Sequence, residues 1–219
     1  MARTLRTDRG LDRLVNFSDA TVAIAITLLL LPLVDVAVDI DRMSLGDLLN
    51  ENVGRLIAFF VSFIVISRLW MSHHGLFEAT RTYSTRVLQL NFVWLASIAF
   101  LPFSSNLIAQ TAHDRGVNAL YIGTIAMASL SMTAMQWTIW RDPDLVRSDG
   151  RPMLHPVDGT VTFIALVVAL VGAVIVPSTG PFWLFLLIPA GWVSSALERR
   201  FHAADGWRAT PPEADPDDA

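Results

Sequence analysis

One stretch near the start of the chain, residues 13–35, restricts the possible folds more than any other. It reads RLVNFSDATVAIAITLLLLPLVD, and within the stretch from Leu14 to Val34 it runs apolar from Ala20 to Leu31 with only Thr21 and Thr27 interrupting. About 20 such residues are enough for a helix to cross the ~30 Å hydrocarbon core of a bilayer. Asp19 lies inside this stretch, and a carboxylate at that depth has to face protein or water. The stretch therefore predicts a transmembrane helix with a functional or architectural carboxylate.

The composition of the whole chain agrees with a membrane protein. Of its 219 residues, 53% are hydrophobic and only 16% are charged, and the mean hydropathy is +0.48. These values are far from those of a soluble domain of this length. Apolar segments predict spans at 14–38, 53–75, 87–111, 117–140, 157–176 and 181–198. We expect an all-α membrane protein with six transmembrane helices in residues 1–200 and a disordered acidic tail, 201–219.

The arginines indicate how these spans are oriented. Twelve of them lie before the first span, in the second and fourth connections, and after the last span. The opposite side carries only Arg42, Arg55 and Arg115, while Arg68 lies inside the second span. The positive-inside rule then predicts that both termini are cytoplasmic. The first apolar run is too long for a signal peptide and lacks a cleavage site, so we expect this helix to be retained.

Several classes of function are disfavoured by the residues themselves. The chain has no cysteine, which excludes disulfides, thiolate metal sites and cysteine nucleophiles. Its net charge of −4 argues against nucleic-acid binding. His73 and His74 are adjacent, and neighbours on a helix point about 100° apart, so they do not chelate a metal together. No nucleophile, base and orienting group can be assembled, and we expect no enzyme, no metal site and no cofactor.

The first helix presents two different faces. At 100° per residue, one narrow stripe collects six side chains: Phe17, Ala20, Ile24, Leu28, Leu31 and Asp35. Ser18 and Asp19 lie about 120–140° from Ile24, and Thr27 flanks the stripe at about 60°. Geometry alone favours the ordinary explanation, in which these aliphatic residues face lipid or core.

The second span is unusually polar at its predicted cytoplasmic end, where His73 lies. Buried polar groups in a bilayer need partners, and the first helix offers Ser18 and Asp19 at the same depth. We therefore expect His73 to form a hydrogen bond with that pair.

Three motifs together resemble the TMEM175 family of potassium channels. The first is Arg13-x-x-x-Phe17-Ser18-Asp19 followed by AIAITLLLL; the others are Trp70-x-x-His73-His74 before Leu76-Phe77, and Leu90-Asn91 leading to Leu101-Pro102-Phe103. The resemblance extends over roughly residues 13–110. It implies the single-repeat bacterial form in the inner membrane, whose six-helix subunits form a homotetramer with the first helices lining a central pore.

The resemblance also implies roles for particular residues. Carried over by position, Ile24 forms the pore constriction, Thr27 contributes to selectivity, and Leu28 and Leu31 form further hydrophobic rings. A structural network that holds the helices in register would include seven residues: Arg13, Phe17, Ser18, Asp19, Trp70, His73 and Asn91. Potassium would be the permeant ion, and membrane lipid the surrounding partner. The chain contains no TVGYG filter, so an aliphatic ring that gates by dewetting is expected instead.

The acidic residues after the stripe give a further prediction that the resemblance does not supply. Asp35 continues the stripe on a straight helix, and Asp39 follows one turn later. Acids at a helix end usually serve only solvation. Around a four-fold pore, however, they would form an outer acidic mouth that concentrates cations.

A secondary transporter with a polar site at mid-membrane is the alternative from a different class. It would require paired broken helices in an inverted repeat. Pro32 and Pro102 are candidates for such breaks, but spans one to three and four to six show no evident similarity. The sequence therefore favours a channel.

Overall fold

The computed structural model describes residues 8–37, 44–111, 113–154 and 156–204, and within these ranges it contains helices and no strands. The α-helices are α1 (Asp8–Leu28), α2 (Leu31–Ala37), α3 (Leu45–Glu51), α4 (Val53–Glu78), α5 (Thr85–Gln110), α6 (Arg115–Trp140), α7 (Pro156–Ile175) and α8 (Leu187–Ala204). Three 3₁₀-helices span Pro143–Leu145, Arg151–Met153 and Pro177–Leu186. The predicted all-α fold is thus confirmed for the described residues.

Four of the predicted spans correspond to single helices, α4, α5, α6 and α7. Each begins and ends within three residues of its predicted bounds. Polar caps explain two of the starts: the Ser84 side chain accepts from the backbone of Val87 before α5, and the Asp114 side chain accepts from Val117 before α6. Pro102 lies inside α5 without ending it.

The first span is interrupted, whereas the angles predicted for its side chains assumed one straight helix. The chain turns at Leu29 and Leu30, where backbone N–H groups bond to carbonyls three residues earlier. Pro32 explains the position of this turn, because it donates no hydrogen bond and its ring clashes with the carbonyl four residues before it. Positions beyond the turn therefore do not follow the helical angles of α1.

The sixth predicted span, 181–198, is not one continuous α-helix. A ten-residue 3₁₀-helix, Pro177–Leu186, precedes α8, and the long apolar part of this region covers only Phe182–Ser194. Pro189 lies in the first turn of α8, where a missing N–H is tolerated, whereas a helix continuing from earlier residues would clash with it. In the described part of the chain, five helical segments are long and apolar enough to cross a membrane.

α5 and α6 form the centre of the helix assembly. α6 packs between α5 and α7, α7 contacts α8, and α1 packs on α4 and α5. The Gly172 backbone lies against the ring of Trp183, so close that an added Cβ would come within 2.6 Å of it. Gly191 and Gly123 have open space in this direction, so of these three glycines only Gly172 is needed for a close contact.

The connection after α6 folds back on the connection after α4. Thr80 and Val146 form an isolated antiparallel bridge, and the Arg81 N–H donates to the Leu145 carbonyl at 2.8 Å. These two connections, which lie together, carry four of the twelve arginines assigned to one side of the membrane. Residues 205–219, most of the predicted tail, lie outside the described residues.

Candidate functional site

The two faces of α1 differ sharply in burial. Val22 and Ala25 are 3% and 1% exposed, because they pack on the helices behind α1. Ile24 is 61% exposed in the single chain, and Leu28 and Phe17 are also exposed. From Phe17 to Leu28, the stripe predicted from helical angles is therefore an exposed, mostly apolar face of α1 in the single chain.

Thr27 is exposed beside this face and has a defined orientation. Its hydroxyl donates to the carbonyl of Ile24 at 2.7 Å. Because the hydrogen is used in that bond, the remaining lone pairs of the oxygen are available to an outside donor or cation.

The outer end of the stripe lies beyond the turn before Pro32. Leu31 is 58% exposed, and Asp35 is exposed on α2. Asp39 lies outside the described residues. α1 ends at Leu28, so the count along one straight helix does not extend to Asp35, and the roles of Leu31 and Asp35 stay predictions.

A buried chain of hydrogen bonds lies behind α1. The Asn91 amide nitrogen on α5 donates to Ser18 Oγ at 3.0 Å, and Ser18 Oγ donates to the Leu14 carbonyl at 2.9 Å. On its other side, Asn91 Oδ1 lies 2.8 Å from His73 Nε2 on α4. Ser18, His73 and Asn91 are all completely buried. One asparagine thus joins α1, α4 and α5.

The directions of these bonds follow from the chemistry of the amide. Because the Asn91 nitrogen points to Ser18, its carbonyl oxygen faces His73 and can only accept. His73 Nε2 therefore carries a hydrogen and donates it. His73 also stacks on Trp94, with ring centroids 4.1 Å apart and planes 15° apart, which fixes the imidazole plane.

The expected direct bond from His73 to Ser18 or Asp19 is wrong. Asn91 lies between His73 and Ser18, because an amide offers both a donor and an acceptor and spans the gap between helices. Asp19 instead accepts from Trp70 Nε1 at 2.9 Å. Arg13 and Phe17 are exposed and lie outside this network.

The two adjacent histidines have different surroundings. His74 is exposed, stacks on Trp70 with ring centroids 5.4 Å apart, and lies 3.9 Å from Glu78 one turn later. No three His, Asp or Glu side chains among the described residues are close enough to share a metal ion.

A second buried polar cluster was not predicted. Ser62 on α4 donates to Ser105 on α5 at 2.7 Å, and the Tyr121 hydroxyl on α6 lies 2.9 Å from Ser62. Since the hydrogen of Ser62 is used, Tyr121 is the donor of the second bond. This cluster fixes α4 against α5 and α6, so the support for α1 is itself held in register.

The comparisons with known proteins point to one family. Residues 13–102 match the family model described as endosomal/lysosomal potassium channel TMEM175. A chicken protein named endosomal/lysosomal proton channel TMEM175 is 31% identical over 153 residues, or 66% of this chain and 30% of that protein. A potassium channel of Streptomyces collinus is 29% identical over 59% of this chain and 64% of its own length.

A potassium channel of a Chryseobacterium species is 26% identical over 59% of this chain and 65% of its own length. The chain thus spans under a third of the chicken relative and just under two thirds of the two bacterial ones. The names of the family and of these relatives describe ion channels and not enzymes. Residues 13–102, which contain the exposed face of α1 and the polar network behind it, are the part of the chain that matches the TMEM175 family model.

Proposed function

We propose that the chain is the subunit of a potassium-conducting channel, a homotetramer in which four copies of α1 surround one pore on the symmetry axis. The observation that carries this proposal is the exposed face of α1. Ile24, Leu28 and Leu31 are large apolar side chains that are 40–61% exposed in a single chain. The Streptomyces and Chryseobacterium relatives are named potassium channels, which supports potassium as the permeant ion.

Lipid is the other possible neighbour of such a face, and two polar groups argue against it. Thr27 presents an oxygen with free lone pairs next to the stripe, and Asp35 is a charged group at its outer end. A pore uses both groups, whereas a lipid-facing position would leave them without a role.

In this arrangement, Ile24 forms the narrowest ring. Four isoleucine side chains offer no ligand to a hydrated ion, so the ring excludes water when closed and sets the resistance when open. Thr27, one turn further along, supplies oxygen atoms that replace part of the hydration shell of the ion. Leu28 and Leu31 extend the hydrophobic section, and Asp35, with Asp39 outside the described residues, would form the acidic mouth.

Six spans per subunit with both termini in the cytoplasm of a bacterial cell complete the proposal. The 3₁₀-helix and α8 together would provide the sixth crossing. Pairing of the arginine-bearing connections after α4 and α6 supports a single basic side, as the positive-inside rule requires.

Single-channel recording of purified protein in planar bilayers tests the function. We expect potassium current that rises linearly with voltage and does not saturate as a transporter would. Ile24→Ala shortens the four side chains at the constriction and should raise the conductance, whereas Ile164→Ala, an exposed residue of α7, should leave it unchanged. Current carried by protons alone would contradict potassium conduction and match the name of the chicken relative.

If Ile24→Ala conducts like the wild type while Leu28→Ala or Leu31→Ala raises the current, the constriction lies one or two turns further out. Flux that saturates with substrate and yields no unitary current would instead favour the transporter.

A further inference from the structure

Phe17 belongs to the first sequence motif of α1 but has no part in the polar network behind that helix. Its side chain is 56% exposed in the single chain, whereas the next residue, Ser18, is completely buried. On the helical count, Phe17 lies within about 20° of Ile24, so both side chains lie on the exposed face of α1. The network therefore accounts for the buried half of the motif and leaves the exposed phenylalanine unexplained.

The exposed face has one small residue between these two large ones. Ala20 is exposed and lies about one turn from each of them and about 40° from Ile24. Phe17 and Ile24 are separated by seven residues, which is about 10 Å along the helix axis. Aromatic side chains on a helix lean toward its N-terminus, so the Phe17 ring points away from Ile24 and widens the space at Ala20.

This space becomes a chamber when four copies of α1 surround one axis, and to that extent the inference rests on the proposed function. Its outer end is the ring of Ile24, and its inner end is a ring of four Phe17 side chains. The wall between them is lined by Ala20. Since the N-terminus of α1 is on the proposed cytoplasmic side, the chamber opens toward the cytoplasm.

The carboxylate of the motif faces away from this chamber. Asp19 lies on the side of α1 that meets α4, where it accepts from Trp70 Nε1 at 2.9 Å. Asp12 and Arg13 are exposed one turn or more before Phe17, so the charged groups at the entrance are of both signs. The attractive surface for a cation inside the chamber is therefore the face of each phenyl ring, where the aromatic quadrupole is negative.

We propose that the chamber between Phe17 and Ile24 binds a quaternary ammonium ion that enters from the cytoplasm and blocks the pore. Aromatic side chains arranged around a common axis form a cage of the kind that recognises quaternary ammonium groups. The alkyl arms of the ion lie against Ala20 and Ile24, which are apolar. The isoleucine ring, as the narrowest point of the pore, stops the ion from passing to the outer side.

Potassium current in excised membrane patches, where the cytoplasmic side is known, tests the proposal with tetrabutylammonium as the probe. We expect block from the cytoplasmic side and none from the outer side, because the Ile24 ring separates the outer solution from the site. Phe17→Leu keeps an apolar side chain without a π face and should raise the half-blocking concentration about tenfold. Phe17→Trp offers a stronger ring face and should lower it. Phe92→Leu changes a phenylalanine of α5 that is 53% exposed; it is the matched control and should be blocked like the wild type.

The results separate the ammonium site from the channel itself. A wild type that conducts potassium but has the same half-blocking concentration as Phe17→Leu and Phe17→Trp would overturn the site and leave the proposed function standing. Block from the outer side alone would also overturn the site. If Phe17→Leu carries no current, the direction of the change in Phe17→Trp decides. A wild type without potassium current would contradict the proposed function, and the site would fall with the pore on which it depends.

Discussion

Asn91→Ala is the substitution expected to disturb the support of α1 most. The side chain makes two buried hydrogen bonds, to His73 at 2.8 Å and to Ser18 at 3.0 Å. Its loss leaves the His73 Nε2–H without an acceptor, and a buried donor without a partner costs about 1–3 kcal/mol. The bond to Ser18 adds about 0.6 kcal/mol, the average for such bonds in a membrane helix bundle, and at most about 1.7 kcal/mol. We therefore expect a destabilisation of roughly 2–4 kcal/mol in total.

Thermal unfolding in detergent, followed by size-exclusion chromatography, measures this effect. For a chain of this length, the loss should lower the apparent melting temperature by about 5–15 °C. Gln89→Ala, an exposed polar residue two positions earlier on α5, is the control and should melt like the wild type. A double-mutant cycle with Ser18→Ala should give a coupling energy of about 1 kcal/mol. If Asn91→Ala melts with the wild type, the three helices are held together by apolar packing and the network is incidental.

Three further predictions concern Asp19, Gly172 and Asp35. Asp19→Ala removes the acceptor of Trp70 Nε1 and should lower the melting temperature without changing ion selectivity; a stable variant with altered selectivity would place Asp19 in the conduction path. Gly172→Ala forces its Cβ against Trp183 and should lower the free energy of unfolding by about 1–3 kcal/mol, with a shift in tryptophan fluorescence. Gly191→Ala has open space around its Cβ and should leave the stability unchanged. Equal effects of the two substitutions would contradict this packing argument. Asp35→Asn should reduce inward current at low salt, and the deficit should shrink as salt is raised, because salt screens the charge over ~8 Å at physiological ionic strength; equal currents at every concentration would remove the acidic mouth.

The predicted bounds agree best with the structure where the residues next to a span start the helix. α5 and α6 start at side-chain caps, Ser84 and Asp114, that are visible in the sequence. The turn at Leu29 and Leu30 was not predicted within the first span, because angles counted along a straight helix ignore what Pro32 does to the preceding carbonyl. The sixth segment has enough apolar residues for a span, but its prolines divide it into a 3₁₀-helix and α8.

The polar residues behind α1 were largely predictable, but their pairing was not. Residue depth along a helix shows which groups are level with one another, and it paired His73 with Ser18 and Asp19; Trp70 and Asn91 were included only through the family resemblance. It does not show which donor reaches which acceptor between three helices, and the bridging position of Asn91 depends on interhelical distances. The cluster of Ser62, Ser105 and Tyr121 gave no signal, because serines and tyrosines 43 and 59 residues apart are common in any membrane protein.

Cysteine accessibility measures most directly whether α1 lines the conduction path. The natural chain has no cysteine, so one introduced thiol is the only reactive one. Ile24→Cys and Leu28→Cys should be blocked by silver ions applied during potassium current, because a pore-facing thiol meets the permeating solution. Ile164→Cys on α7 and the buried Val22→Cys should conduct unchanged. If silver leaves Ile24→Cys and Leu28→Cys conducting but blocks a cysteine on another helix, the exposed face of α1 does not line the pore.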